Sequence, residues 1–218
     1  MRESRRARRV SFSIQSSREV RVVVPPRFLH APVEPLLRRH ASWIVRTLEH
    51  VRSHEIPLQS GYVLPLLGEP RTLLVRKRPG GNGGVTVTPS EVLVTCSDEE
   101  GDDELRRLLA GWCMTVARER LPLRTAELAR AGGYTYRSLT IRNQSTRWGS
   151  CSRNGGISLN WRLVLLPMEV AEYLIFHELA HLVHHDHSGR FWEEVERVYP
   201  AWRNAERWLR SRGRSLPL

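Results

Sequence analysis

The stretch that most constrains this chain is residues 168–187, MEVAEYLIFHELAHLVHHDH. Five of the nine histidines in the 218-residue chain fall in its last eleven positions, 177–187. Leu174, Ile175, Leu179, Leu182 and Val183 keep apolar side chains around them. That pattern, opened by Pro167, predicts a helix from Met168 to about His185. Those apolar residues supply a core face for the helix. It must also present His177 and His181, four residues apart, on one face.

Two imidazoles one turn apart can reach a single zinc ion at about 2.0–2.1 Å. Glu178 stands about 100° further round the helix, beside the metal but not aimed at it. A carboxylate so placed can take a proton from a metal-bound water and later return it. A catalytic zinc needs a third protein ligand, with the fourth position left to water. The candidates are His184, His185 and His187, with the acids Glu193 and Glu194 further along. His184 lies too far along the same face, and His185 points away from it if the helix persists. His187 is the best placed, because it follows Asp186 in a turn where the chain can fold back, with Ser188 positioned to cap the next helix. Glu194, on that next helix, is the main rival. The apolar residues already supply a packing face, so the histidines are not needed for packing. A purely structural metal would have no use for Glu178.

The rest of the chain sets the class. Three cysteines, Cys96, Cys113 and Cys151, are far apart and form no CxxC pair, which points to a reducing compartment. The start lacks the apolar stretch of a signal peptide, and no apolar run approaches the roughly 18 residues of a membrane span. We therefore expect a cytoplasmic protein with no membrane contact. The net charge is +11, and residues 1–27 hold eight arginines against two glutamates. Such a basic start could rest on nucleic acid or an acidic partner. Yet Lys77 is the only lysine among 34 basic residues, which reads as a bias toward arginine. No motif of a nucleic-acid reader accompanies the charge.

Period-two alternation marks SFSIQ and VRVVVP as a hairpin ending at Pro25-Pro26. Residues 32–54 carry helical periodicity, and YVLPLLG, RTLLVRK, GVTVTP and EVLVTC read as short strands. The acids of SDEEGDDE, residues 97–104, are expected to open a helix, where they complement its dipole. That helix should be interrupted near Pro122 and end at Gly132-Gly133. RSLTIRN, RWGSCS and GISLNWRL follow as strands, and two further helices close the chain at Pro200 and Gly213. The pattern predicts an α+β chain with a β-rich lobe over 1–100 and a helix-dominated catalytic domain over 101–218.

Four blocks, RWGSCS (147–152), GGISLN (155–160), HELAHL (177–182) and DHSGRFW (186–192), together resemble the YgjP-like, or DUF45, metallopeptidases, relatives of the SprT-like and WLM proteases. The blocks come in the family's order and spacing. The resemblance implies a zincin-like zinc peptidase acting on peptide or protein substrates, with His177, His181 and His187 as zinc ligands and Glu178 as general base. The family's N-H-S turn stands here as Asp186-His187-Ser188, a change that keeps a turn-forming residue. In zincins an edge strand beside the catalytic helix can pair with an extended peptide, and GISLNW is the candidate strand. This makes Ile157 and Ser158 substrate-binding candidates. Arg147 joins them as a possible oxyanion stabiliser, against its reading as half of a structural ion pair. Two other readings remain open: a protease acting on DNA-bound proteins, and a binding module with non-catalytic zinc. The residues do not specify an oligomeric state.

Overall fold

The computed structural model describes residues 2–3, 8–16, 19–26, 34–54, 56–79, 83–97, 101–213, 216 and 218. Parts of the basic start (4–7), of the hairpin turn (17–18), of the 32–54 segment (32–33), of the glycine-rich turn (80–82) and of the acidic run (98–100) lie outside the described residues. The chain divides into two compact units, residues 1–56 and 57–218.

In the first unit, β1 (Arg2–Glu3), β2 (Ser11–Ser16) and β3 (Glu19–Val24) form a sheet ordered β1-β3-β2, and β2 and β3 are the expected hairpin. Two helices follow, α1 (Glu34–Arg39) and α2 (Ala41–His54), where the periodicity predicts one. They part at His40, whose N–H bonds to the carbonyls of Leu36 and Leu37 in a tightened last turn.

The second unit has its own core. β4 (Val63–Leu66), β5 (Glu69–Lys77), β6 (Gly84–Val87) and β7 (Glu91–Cys96) make a sheet ordered β4-β5-β7-β6, with β5 and β7 parallel. Alternation along β7 buries Val92, Val94 and Cys96 against α3 (Gly101–Gly132). Asp102, Asp103 and Glu104 do open that helix. It runs unbroken through Pro122, contrary to the expected interruption. Proline there removes the bond to the carbonyl of Arg118, and Arg118 is exposed, so water can serve that carbonyl.

β8 (Ser138–Arg142), β9 (Gly149–Cys151) and β10 (Gly156–Asn160) form a second sheet, ordered β8-β10-β9. A 3₁₀ turn at Trp161–Leu165 then leads into α4 (Met168–Ala180), α5 (Gly189–Val198) and α6 (Trp202–Arg212). One apolar cluster runs from Leu58 and Leu64 through Leu109 and Leu159 to Ile175, Phe191 and Trp202. The β4–β7 sheet therefore shares a core with the helices beyond residue 101, and the compact units part at 56/57, whereas the sequence pattern suggests 100/101. The architecture is mixed α/β.

The tight turn between β4 and β5 ties this core together. Leu67 and Gly68 both have positive φ, at 52° and 84°. The Leu67 N–H donates to the Val164 carbonyl at 2.7 Å. A Cβ on Gly68 would come within 3.0 Å of the Met168 Cβ, so glycine lets this turn press against the start of α4.

Candidate metal centre

α4 is held in place because it is apolar nearly all round: Val170, Ala171, Leu174, Ile175, Phe176, Leu179 and Ala180 are all buried. It ends at Ala180, five residues short of the predicted end. His181 stays in right-handed helical geometry at φ −65°, so its ring still projects one turn beyond that of His177. The next three N–H groups close onto Leu179 and Ala180 carbonyls, which tightens the chain out of the helix.

Asp186 then turns it back. Its Oδ1 accepts from the Ser188 N–H at 3.3 Å, an Asx turn that carries His187 toward the helix. Ser188 stands at the N-cap of α5 as expected, but its side chain makes no cap bond; its carbonyl takes the Trp192 N–H.

The result brings three imidazoles together. One nitrogen from each of His177, His181 and His187 lies within 4.8 Å of the others. The Nε2 atoms of His177 and His187 face each other at 3.2 Å. His181 Nδ1 lies 2.9 Å from the His184 carbonyl, which can only accept, so that nitrogen carries the hydrogen and Nε2 keeps a lone pair. Thus His184 contributes its backbone, not its ring, and His185 is exposed. Glu194 is engaged elsewhere, accepting from the Tyr134 hydroxyl at 2.6 Å and from Arg197 at 2.7 Å.

Beneath the cluster lies Phe191, fully buried, stacked on His181 at 4.4 Å and edge-on to His177 and His187 at 4.9 Å each. Sequence reasoning assigned Phe191 no role, though its place four residues after His187 on α5 is a helical spacing that could have raised it. Trp192 packs 6.0 Å from both His177 and His187 and stacks on Trp202 at 4.4 Å. Tyr173 packs edge-on to His177 at 5.9 Å, and burial pushes its hydroxyl up to about 12.

Electrostatics suit a cation here. Burial, with His181 and His187 close by, depresses His177 to about 3, so its ring is neutral at neutral pH as a metal ligand must be. His181 is depressed as well, chiefly by burial. His177 Nδ1 and Glu178 Oε2 are buried polar atoms without a hydrogen-bond partner. A buried imidazole nitrogen and a buried carboxylate oxygen left without partners are costly, and a cation shared by the three rings relieves part of that cost. The donor set, all imidazole nitrogen, fits zinc.

Glu178 is 6 % exposed. Burial raises its carboxyl to about 8, while the Arg147 charge pulls it down. Its space comes from β9: a Cβ on Gly149 would lie 2.5 Å from Glu178 Oε1. The glycine of RWGSCS is thus the residue that admits the carboxylate. The cysteine of the same block, Cys151, has its thiol pushed up to about 11 by burial and by Glu178. It is therefore a neutral wall residue at neutral pH.

The strand residues fall out differently from expectation. β10 is the central strand, paired with β8 on one side and β9 on the other, so its backbone is not free for a peptide. The edge beside α4 belongs to β9. Ile157 is buried in the core, and both it and Ser158 line an open concavity on the β8-β10-β9 sheet. Arg147 lines it too and has no carboxylate within 4 Å among the described residues; it is not half of an ion pair. Asn160 holds the loop between β8 and β9, donating to the Gln144 and Arg147 carbonyls at 2.7 and 3.1 Å.

The YgjP-like metallopeptidase domain family matches residues 8–212. Among solved structures, the chain is similar to the metallopeptidase zymogen abylysin of Pyrococcus abyssi, with 28% identity over 41% of this chain and 91% of that one, at a TM-score of 0.37. No curated protein matches the chain significantly.

Proposed function

The chain belongs to the YgjP-like metallopeptidase family, and on that premise we propose that it hydrolyses peptide bonds with zinc held by His177, His181 and His187. The observation that carries this reading is the convergence of three imidazole nitrogens within 4.8 Å beside a buried carboxylate. When bound, zinc would supply Lewis acidity at this point, acidifying a water and polarising the substrate carbonyl.

Glu178 is the proton carrier. It takes a proton from the attacking water and delivers it to the amide nitrogen as the carbon–nitrogen bond breaks. Its burial keeps its proton affinity high, and the Arg147 guanidinium favours the ionised form needed to begin. Phe191 and the His184 carbonyl fix the orientation of the rings. The outer edge of β9, which has no strand partner among the described residues, offers its backbone to an extended peptide. No described helix is long and apolar enough to cross a membrane.

The test is metal content and peptide cleavage measured together on wild type, His187→Ala and Glu178→Gln. We expect about one zinc per chain in wild type and Glu178→Gln, with cleavage lower by about 10²–10⁴ in Glu178→Gln. His187→Ala should lose the metal. Full zinc in His187→Ala would remove that residue from the ligand set. Undiminished cleavage in Glu178→Gln would remove the proton-transfer role and leave a zinc-binding module.

A further inference from the structure

The outer face of the β8-β10-β9 sheet carries a row of hydroxyls. Thr140, Ser158 and Ser150 stand directly opposite one another across the three strands. Thr140 Oγ1 and Ser158 Oγ are 2.9 Å apart. Strand alternation puts Arg142 on the same face as Thr140, one pleat along, where its Nε donates to Thr140 Oγ1 at 3.4 Å. In the next row stands Gly156, where a Cβ would come within 3.1 Å of one serine hydroxyl and 3.3 Å of another, so its bareness keeps the floor open.

Together these residues line a concavity of about 400 Å³ that also takes in Arg147. Among the described residues, no acidic one lines it. Arg124, Arg197, Arg203 and Arg210 are all paired with glutamates. Arg142 and Arg147, by contrast, have no carboxylate within 4 Å among the described residues. The Gln144 side-chain amide lies beside the Arg147 guanidinium, and with its oxygen turned inward it would accept at 3.1 and 3.3 Å. Two guanidinium groups with open N–H positions above a bed of hydroxyl donors form a receptor for a planar anion.

We infer that this concavity is the subsite for an acidic side chain, aspartate or glutamate, of the peptide substrate, with Arg142 as the residue that sets the preference. The inference rests on the peptidase reading and deepens it. β9 supplies the link: Gly149 abuts Glu178, and Ser150, the next residue, belongs to the hydroxyl row. At about 3.3 Å per residue along an extended chain, the anion sits within a residue or two of the bond beside Glu178. Arg147 serves both places, lining the concavity and acting on the Glu178 carboxyl.

The experiment compares two fluorescent peptides differing only by Glu against Gln, binding to the full-length zinc-loaded Glu178→Gln variant, with anisotropy as the readout. The Glu peptide should bind about tenfold tighter, since a charge-assisted hydrogen bond is replaced by a neutral one. Adding Arg142→Gln should bring the ratio close to one, Arg142→Lys should restore part of it, and Arg142→Glu should invert it in favour of the Gln peptide. Equal binding of the Glu and Gln peptides, or a ratio unmoved by Arg142→Gln, would overturn the inference. So would displacement by inorganic phosphate at micromolar concentration with no Glu preference, which would make the concavity a free-phosphate site. Cleavage of the same peptides by the wild type is scored separately. A binding preference without any cleavage would unseat the peptidase reading and leave the acidic subsite standing.

Discussion

At the scale of single residues, Glu178 and Gly149 act as one device. The glycine leaves the volume that the carboxylate fills, so Gly149→Ala should displace Glu178 without touching any histidine. We expect that variant to keep its zinc and to lose cleavage by more than about tenfold, since small misplacements of a catalytic group are costly. Zinc loss on elemental analysis would show that the strand also supports the rings. The burial of Glu178 makes a second prediction, about pH. Its folded value of about 8 lies above the ordinary 4.5. The folded chain therefore keeps a proton that the unfolded chain has released. The stability contributed by that neutral, buried acid is complete below about 4.5 and is lost as pH rises through about 8. His177 works in the opposite sense: depressed to about 3, it costs stability as pH falls below 6.5. In metal-free protein, the melting temperature of Glu178→Gln relative to wild type should climb from pH 4.5 to 8 and then level off. The histidine contribution, common to both, cancels. A difference that stays flat across that range would mean the carboxyl is solvated.

At the scale of elements, the chain from Ala180 to Gly189 decides whether two histidines become three. Asp186 fixes its course through one bond to the Ser188 N–H. Asp186→Ala should weaken zinc binding several-fold, and Asp186→Asn, which can make the same turn, should restore it. Competition with a chromophoric chelator would measure both, and equal affinity in all three proteins would mean that α5 alone positions His187. Phe191→Ala is the harsher change: it opens a cavity costing about 3–5 kcal/mol and removes the surface on which the rings rest. The periodicity made α4 and the pairing of His177 with His181 legible, and the turn residues Asp186 and Ser188 marked the return of the chain. It did not reveal that the helix stops at Ala180, because Leu182 and Val183 continue an apolar pattern whose backbone has already left the helix. Nor did it show that GISLN is a central strand. Alternation reports which faces are buried and says nothing about which neighbours bond to each edge. The unbroken course of α3 through Pro122 was hidden for a similar reason, since solvent at Arg118 is invisible in the spacing.

At the scale of the whole molecule, the compact units part at 56/57, and everything gathered at the metal centre lies in the second. That unit encloses its own apolar cluster, from Leu58 to Ala205, and draws on both of its sheets and on α3 to α6. A chain of that length buries enough surface to stand alone, whereas the first unit is near the size at which isolated domains become marginal. Composition could not reveal this division. The strands over 63–96 alternate much as the N-terminal hairpin does, and nothing in alternation says that one sheet packs on α3 while the other belongs to a separate unit. We therefore expect residues 57–218 to fold without residues 1–56, to melt in one cooperative transition and to bind about one zinc with the affinity of the full chain. Circular dichroism melting and metal titration of the fragment are the measurements. A fragment that melts without cooperativity, or that binds zinc more than about tenfold more weakly, would show that the second unit does not stand alone. In that case the acidic-substrate test on Arg142 can be read only in the full-length protein.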